Sequence, residues 1–226
     1  MTKTLPKTKL VTFEEFVAWY PENSQHRYEL YDGVIVEMPF PKGKHERVVG
    51  FLASQTTSEF LRLKLPYFIP KTVIIKPPLH ESGYSPDVLI INNDNLVNEP
   101  VWEDESFITQ AASISLAIEV VSQCVARVPR VEATDEPVRV STNWRDDYLK
   151  KYADYEEMGI REYWIVDYAA LGGREFIGDP KQPTILVCSL DEGEYRVTKF
   201  RGDDRIVSPT FPELTLTAQQ IFNAGT

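Results

Sequence analysis

Five carboxylates sit where the residue pattern predicts strands or strand edges: Glu29, Asp32, Asp87, Glu119 and Asp167. Glu119 poses the sharpest question, because it lies inside SLAIEVVS (residues 115–122), an otherwise apolar run. A strand with one wet face alternates apolar and polar residues, so this carboxylate could point at water. The other reading puts it in a cleft, facing a cation or a group that shares its proton, because a buried ionised carboxylate is costly without a partner. Asp32 is accounted for by an Asp-Gly turn, and Asp167, which ends the run EYWIVD, reads as structural. Asp87 follows Pro86 and opens the run VLII, which pins it to a strand edge, although Pro-Asp by itself is a common turn signal.

The elements around these groups are legible from period and punctuation. TFEEFVAWY predicts a helix, with Thr12 and Glu15 at capping-box spacing. RYELYDGVIVEM predicts a hairpin turning at Asp32-Gly33. A loop with Pro and Gly then leads into a long helix, on which Val48, Leu52 and Gln55 lie near one face. FIPKTVIIK and SPDVLIIN are strand candidates, and residues 92–112 read as a polar loop with a short helix. Beyond the Glu119 strand, NWRDDYLKKYADYEEMG is a helix: Tyr148, Tyr152, Tyr155 and Met158 recur at helical spacing, and Gly159 suits its C-cap. REYWIVDY is a buried strand, a hairpin follows around Glu192-Gly193, and LTAQQIF is a closing helix with Thr217 as N-cap. Strands and helices mix along the chain, which gives one α/β or α+β domain over residues 1–226.

Composition bounds the function. The chain has 226 residues, 42% of them hydrophobic, enough for one sizeable core. No apolar run approaches a bilayer span and the start has no apolar leader, so a cytoplasmic protein away from the membrane is expected. Cys124 and Cys188 have no metal-like or redox-like spacing, and His26, His45 and His80 are too scattered to suggest a zinc site. The net charge of -10 weighs against a protein that coats nucleic acid. It leaves open an enzyme that holds divalent cations in an acidic cleft.

The order of features resembles the PD-(D/E)XK nucleases: a Pro-Asp at a strand start, a strand with a central Glu, then a helix bearing Lys151. More closely, the chain is similar to the bacterial Uma-two family, whose members are described as restriction endonucleases. RYELYDGVIVEM, KGKHERVVGFL, YSPDVLIIN, LAIEVVS, NWRDDYLKKYADYEEMGIREYWIVDY and SPTFPELTLTAQQIF carry that resemblance, in the family's order. It implies a restriction-endonuclease-like α/β fold, a central mixed sheet flanked by helices. It also implies metal-dependent hydrolysis of DNA, with Asp87 and Glu119 as ligands of Mg2+ (or Mn2+), Glu29 as a further acid of the cleft and His45 facing it. In the usual motif the lysine lies two residues after the glutamate, where this chain has Val121. The resemblance moves it to the next helix, where Asp147 and Lys151 share a face while Lys150 turns away. A helix and an edge strand could pair two copies of the chain.

One departure stands out. Residues 123–141 follow Val121-Ser122 and end on its copy, Val140-Ser141, so they read as an insertion between the glutamate and the lysine. Two other functions remain: a nuclease fold that has lost activity and serves as a binding or assembly module, and an acidic-cleft hydrolase of another ester or a glycoside.

Overall fold

Thr12 opens the first helix as its spacing predicts: its side chain accepts the Glu15 N–H, and the Glu15 carboxylate takes the Thr12 N–H. The computed structural model describes residues 10–21, 26–122 and 144–226. Most of the expected N-terminal arm, the expected insertion at 123–141 and Cys124 lie outside the described residues.

After α1 (Phe13–Trp19) come β1 (Arg27–Tyr31) and β2 (Val34–Met38), joined by the Asp-Gly turn. Asp32 and Gly33 both have positive φ, the geometry such a hairpin turn requires. The long helix α2 is Gly43–Arg62. It buries Val48, Leu52 and Thr56, with Gln55 only half-buried. Then follow β3 (Tyr67–Phe68), β4 (Ile74–Ile75), β5 (Val88–Asn92), β6 (Phe107–Ile108) and β7 (Ile114–Val120). A turn of π-helix, Asp146–Lys150, runs directly into α3 (Lys151–Met158), which Gly159 caps in the left-handed region. The chain closes with β8 (Glu162–Asp167), α4 (Arg174–Ile177), β9 (Thr184–Asp191), β10 (Glu194–Phe200) and α5 (Ala218–Ala224). FIPKTVIIK supplies two short strands instead of one, the end of β3 and β4. Helix α4 and strand β6, which lies in the expected polar loop and pairs in parallel with β4, were not expected from sequence. Neither is long enough to show a period, and Gly172, Gly173 and Gly178 surround α4 as turn signals.

The central sheet has the order β10-β9-β8-β7-β5-β3. Only β7 and β8 pair in parallel, so the sheet is mixed, as expected. Helices α2 and α5 cover one face. There Val48, Leu52, Ile221 and Phe222 pack on Leu116, Ile118 and Val120 of β7. The π turn and α3 cover the other, where Tyr148 and Tyr155 pack with Ala117, Val121 and Ile165. Strand alternation therefore turns Glu119 toward α3 and its Lys151. Among the described residues, no helix is long and apolar enough to cross a membrane.

Candidate active site

The hairpin β1–β2 is not part of the central sheet. It is docked by reciprocal backbone bonds between Leu30 and Gly83, each 2.9 Å. This brings Glu29, next to Leu30, against Ser85, whose N–H donates to Oε1 at 2.9 Å. Tyr31, two residues on and so on the same strand face, donates its hydroxyl to Glu29 Oε2 at 2.6 Å. The antiparallel register of β5 and β7 sets Val88 opposite Ile118, so Asp87, just before β5, meets the end of β7. Its Oδ2 accepts the Val120 N–H at 2.8 Å. His45, in the first turn of α2, places Nε2 at 3.2 Å from the same Oδ2 and 3.1 Å from the Val120 carbonyl. Both neighbours are acceptors, so Nε2 carries a hydrogen.

Lys151, the first residue of α3, reaches in from the opposite face. Its ammonium donates to Glu119 Oε1 at 2.9 Å and Glu29 Oε1 at 3.3 Å, and Asp147 Oδ1 lies 4.0 Å away. It also lies 5.6 Å from the centre of the Tyr84 ring. Glu119 and Lys151 are 4% and 2% exposed, which removes the reading in which Glu119 points at water. Glu29, His45, Asp87, Glu119 and Lys151 thus line one cleft, together with Arg27 and Asp147.

The electrostatics follow from crowding acids in a dry place. Burial raises the Glu119 carboxyl well above the carboxylate range; Lys151 opposes this, and Asp87, Asp147 and Glu29 add to it. Burial pushes Asp147 up to about 7, again against Lys151. For Lys151, burial favours the neutral amine, but Glu119 and Glu29 prevail and lift its pKa well above the ordinary lysine value. Burial likewise opposes the charged forms of Asp87 and His45. Their mutual contact outweighs it, lowering the acid and raising the imidazole. At neutral pH Lys151 is therefore a charged hydrogen-bond donor and not a base.

Among the described residues, no three His, Cys, Asp or Glu side chains converge closely enough to hold an ion unaided. Two carboxylates and retained water suit magnesium nevertheless, since that ion dehydrates reluctantly. The described bonds engage only Oδ2 of Asp87 and Oε1 of Glu119. Burial first, and then the neighbouring acids, raise the proton affinity of Glu119 and Asp147; a divalent cation among these acids would offset their mutual repulsion. The donor set fits the ion.

Outside the cleft, Lys150 binds Asp154 at 3.0 Å and Asp32 at 2.8 Å, turned away as helical geometry predicts. Asp167 accepts the N–H groups of Leu171 and Gly172, the structural role expected of it. Sequence reasoning missed two supports. Tyr31 could have been found from its spacing to Glu29. Tyr84, whose hydroxyl donates to buried Asp154 at 2.6 Å, joins residues with no local pattern between them.

The family model described as "Uma2: Putative restriction endonuclease" matches residues 13–127 and 140–219. No curated protein matches the chain. Among solved structures it is similar to a chain described as a putative nuclease belonging to DUF820 from Anabaena variabilis ATCC 29413, at 17% identity and a TM-score of 0.65. That match covers 96% of this chain and 99% of the other, and at such identity it speaks to the fold alone. Every residue of the Glu29–His45–Asp87–Glu119–Lys151 cleft falls inside the matched stretches, and the chain belongs to the Uma2 family.

Proposed function

We propose that the cleft hydrolyses DNA phosphodiester bonds as a divalent-metal-dependent endonuclease, with Asp87 and Glu119 holding magnesium or manganese. The observation that carries this reading is the buried Lys151 ammonium, set between Glu29 and Glu119 in a cleft with more acids than cations. The ion supplies Lewis-acid charge neutralisation and an acidified water. Lys151, held charged, stabilises negative charge that grows on the phosphate oxygens and orients the attacking water. Glu29 fixes the lysine, and His45 fixes Asp87. A glycosidase would need one carboxyl free as acid and another free as base or nucleophile. Lys151 occupies Glu119, which disfavours that alternative.

Supercoiled plasmid incubated with the protein and magnesium should be nicked or linearised, and a chelator should stop it. A preparation free of contaminating nucleases that cleaves no DNA with either metal would overturn the proposal.

Two supporting residues carry their own tests. His45→Ala removes a partner of Asp87 and is expected to weaken manganese binding by about 10–100-fold, as loss of an outer-shell partner does. Calorimetric titration reads this, and unchanged affinity removes His45 from the site. Glu29→Gln leaves a hydrogen-bonding group beside Lys151 but removes its charge. An exposed glutamate would change little, under about 1 kcal/mol. Glu29 is buried, so a fall in cleavage well beyond about tenfold is expected, in line with a charged hydrogen bond worth about 1.5–3 kcal/mol.

A further inference from the structure

Between β2 and α2 the chain runs Pro39-Phe40-Pro41-Lys42. Pro39 and Pro41 line the cleft, yet Phe40 between them is 88% exposed, the most exposed large hydrophobic side chain among the described residues. Apolar rings are normally withdrawn from water. Here a proline on each side fixes the backbone, and the one that follows also restricts Phe40 itself. The ring stands out beside the cleft on a restricted backbone, so less backbone freedom remains to be lost when something binds it.

The same rim carries cations. Arg27 lines the cleft and is exposed, and Lys42 and Lys44 are exposed between cleft-lining Pro41 and His45. Among the described residues, none of these three forms an ion pair, although the chain as a whole carries a net charge of -10. An aromatic face beside exposed cations is how proteins hold a nucleic-acid strand: the ring stacks on a base, and the cations take the phosphates. In a duplex both faces of each base are already covered by their neighbours. Stacking on a fixed ring therefore requires a base that is free or has been prised out.

We infer that the Phe40 rim binds single-stranded or locally unpaired DNA: Phe40 stacks on an unpaired base, and Arg27, Lys42 and Lys44 contact the backbone leading into the cleft. This inference rests on the nuclease reading and narrows its substrate.

The test is equilibrium binding of the full chain to a fluorescent DNA strand of about 20 nucleotides, longer than one typical binding site, and to its duplex. A chelator is present, so no cleavage occurs and no metal is needed. The single strand should bind more tightly than the duplex. Phe40→Ala should weaken single-strand binding by about tenfold or more and duplex binding by less than about twofold, while Phe40→Trp should keep it. Arg27→Ala should flatten the dependence of log affinity on log salt by about 0.7, the loss of one phosphate contact on a single strand. Equal binding by Phe40→Ala and the natural chain, or a preference for duplex, would overturn the inference. In that case, plasmid cleavage with magnesium would leave the nuclease reading standing. If Phe40→Ala instead changes self-association in sedimentation and leaves DNA binding untouched, the ring is a protein contact and the inference is wrong. A natural chain that neither binds nor cleaves DNA defeats the nuclease reading, and this inference with it.

Discussion

Lys151→Met should lower DNA cleavage by on the order of a hundredfold or more, the usual cost of removing a donor that stabilises developing charge, while Lys150→Met should leave it within about twofold. The two lysines are neighbours in sequence and carry the same charge, so only placement separates them. Lys151 is buried and bonded to Glu119 and Glu29; Lys150 reaches outward to Asp32 and Asp154. The methionine keeps the bulk of the stem and removes the ammonium. It also strands two buried carboxylates, and breaking a buried pair from one side typically destabilises by about 3–5 kcal/mol. Loss of activity could then reflect loss of fold. Thermal melting of Lys151→Met itself separates the two causes: a variant that is still folded at the assay temperature and still inactive has lost the ammonium's chemistry and not its fold. Equal effects of Lys150→Met and Lys151→Met on cleavage would refute the assignment.

Asp87→Asn and Glu119→Gln should each reduce cleavage by on the order of a thousandfold, because the metal's Lewis-acid contribution is worth several kcal/mol. Magnesium or manganese binding should disappear from calorimetric titration in both. The amides are chosen for what they preserve. Asn at position 87 still offers a carbonyl to the Val120 N–H, whereas alanine would leave that donor unsatisfied at a cost of about 1–3 kcal/mol. Gln at position 119 still accepts from Lys151 and leaves one less charge crowded in the cleft. Neither variant should melt much below the natural chain without metal, and neither should gain thermal stability when manganese is added, as the natural chain should. Metal binding that survives in both would sink the two-carboxylate site.

Much of this site is legible in the sequence. The Asp87, Glu119 and Lys151 segments come in an order that resembles known nucleases, and helical geometry alone separates Lys151 from Lys150. The hairpin turn at Asp32-Gly33 and the caps at Thr12, Gly159 and Thr217 follow from local chemistry, and all form as expected. What stayed hidden is tertiary. The side of β7 that Glu119 faces could not be settled from sequence, because that strand is buried on both faces and its apolar pattern does not distinguish them. Burial of Glu29 depends on Leu30 pairing with Gly83, a contact between distant segments that leaves no trace in either one. The Tyr84–Asp154 bond is hidden for the same reason.

The pairing of β5 with β7 slips once, between Ile90 and Ile91, so that Ser115 is passed over in the ladder; its carbonyl instead accepts the Thr210 hydroxyl. Asp87 and Glu119 lie on one side of this irregularity, separated from it by three regular pairs, Val88 with Ile118, Leu89 with Ala117 and Ile90 with Leu116. A slip of one residue in that short ladder would turn Glu119 to the wrong face. A residue gained or lost beyond the bulge would be absorbed there. The sheet is therefore divided into a stretch that tolerates no change of length and one that does. A change of length is expected to be better tolerated at the far end of these strands than at the near end, where Asp87 and Glu119 face each other across the ladder.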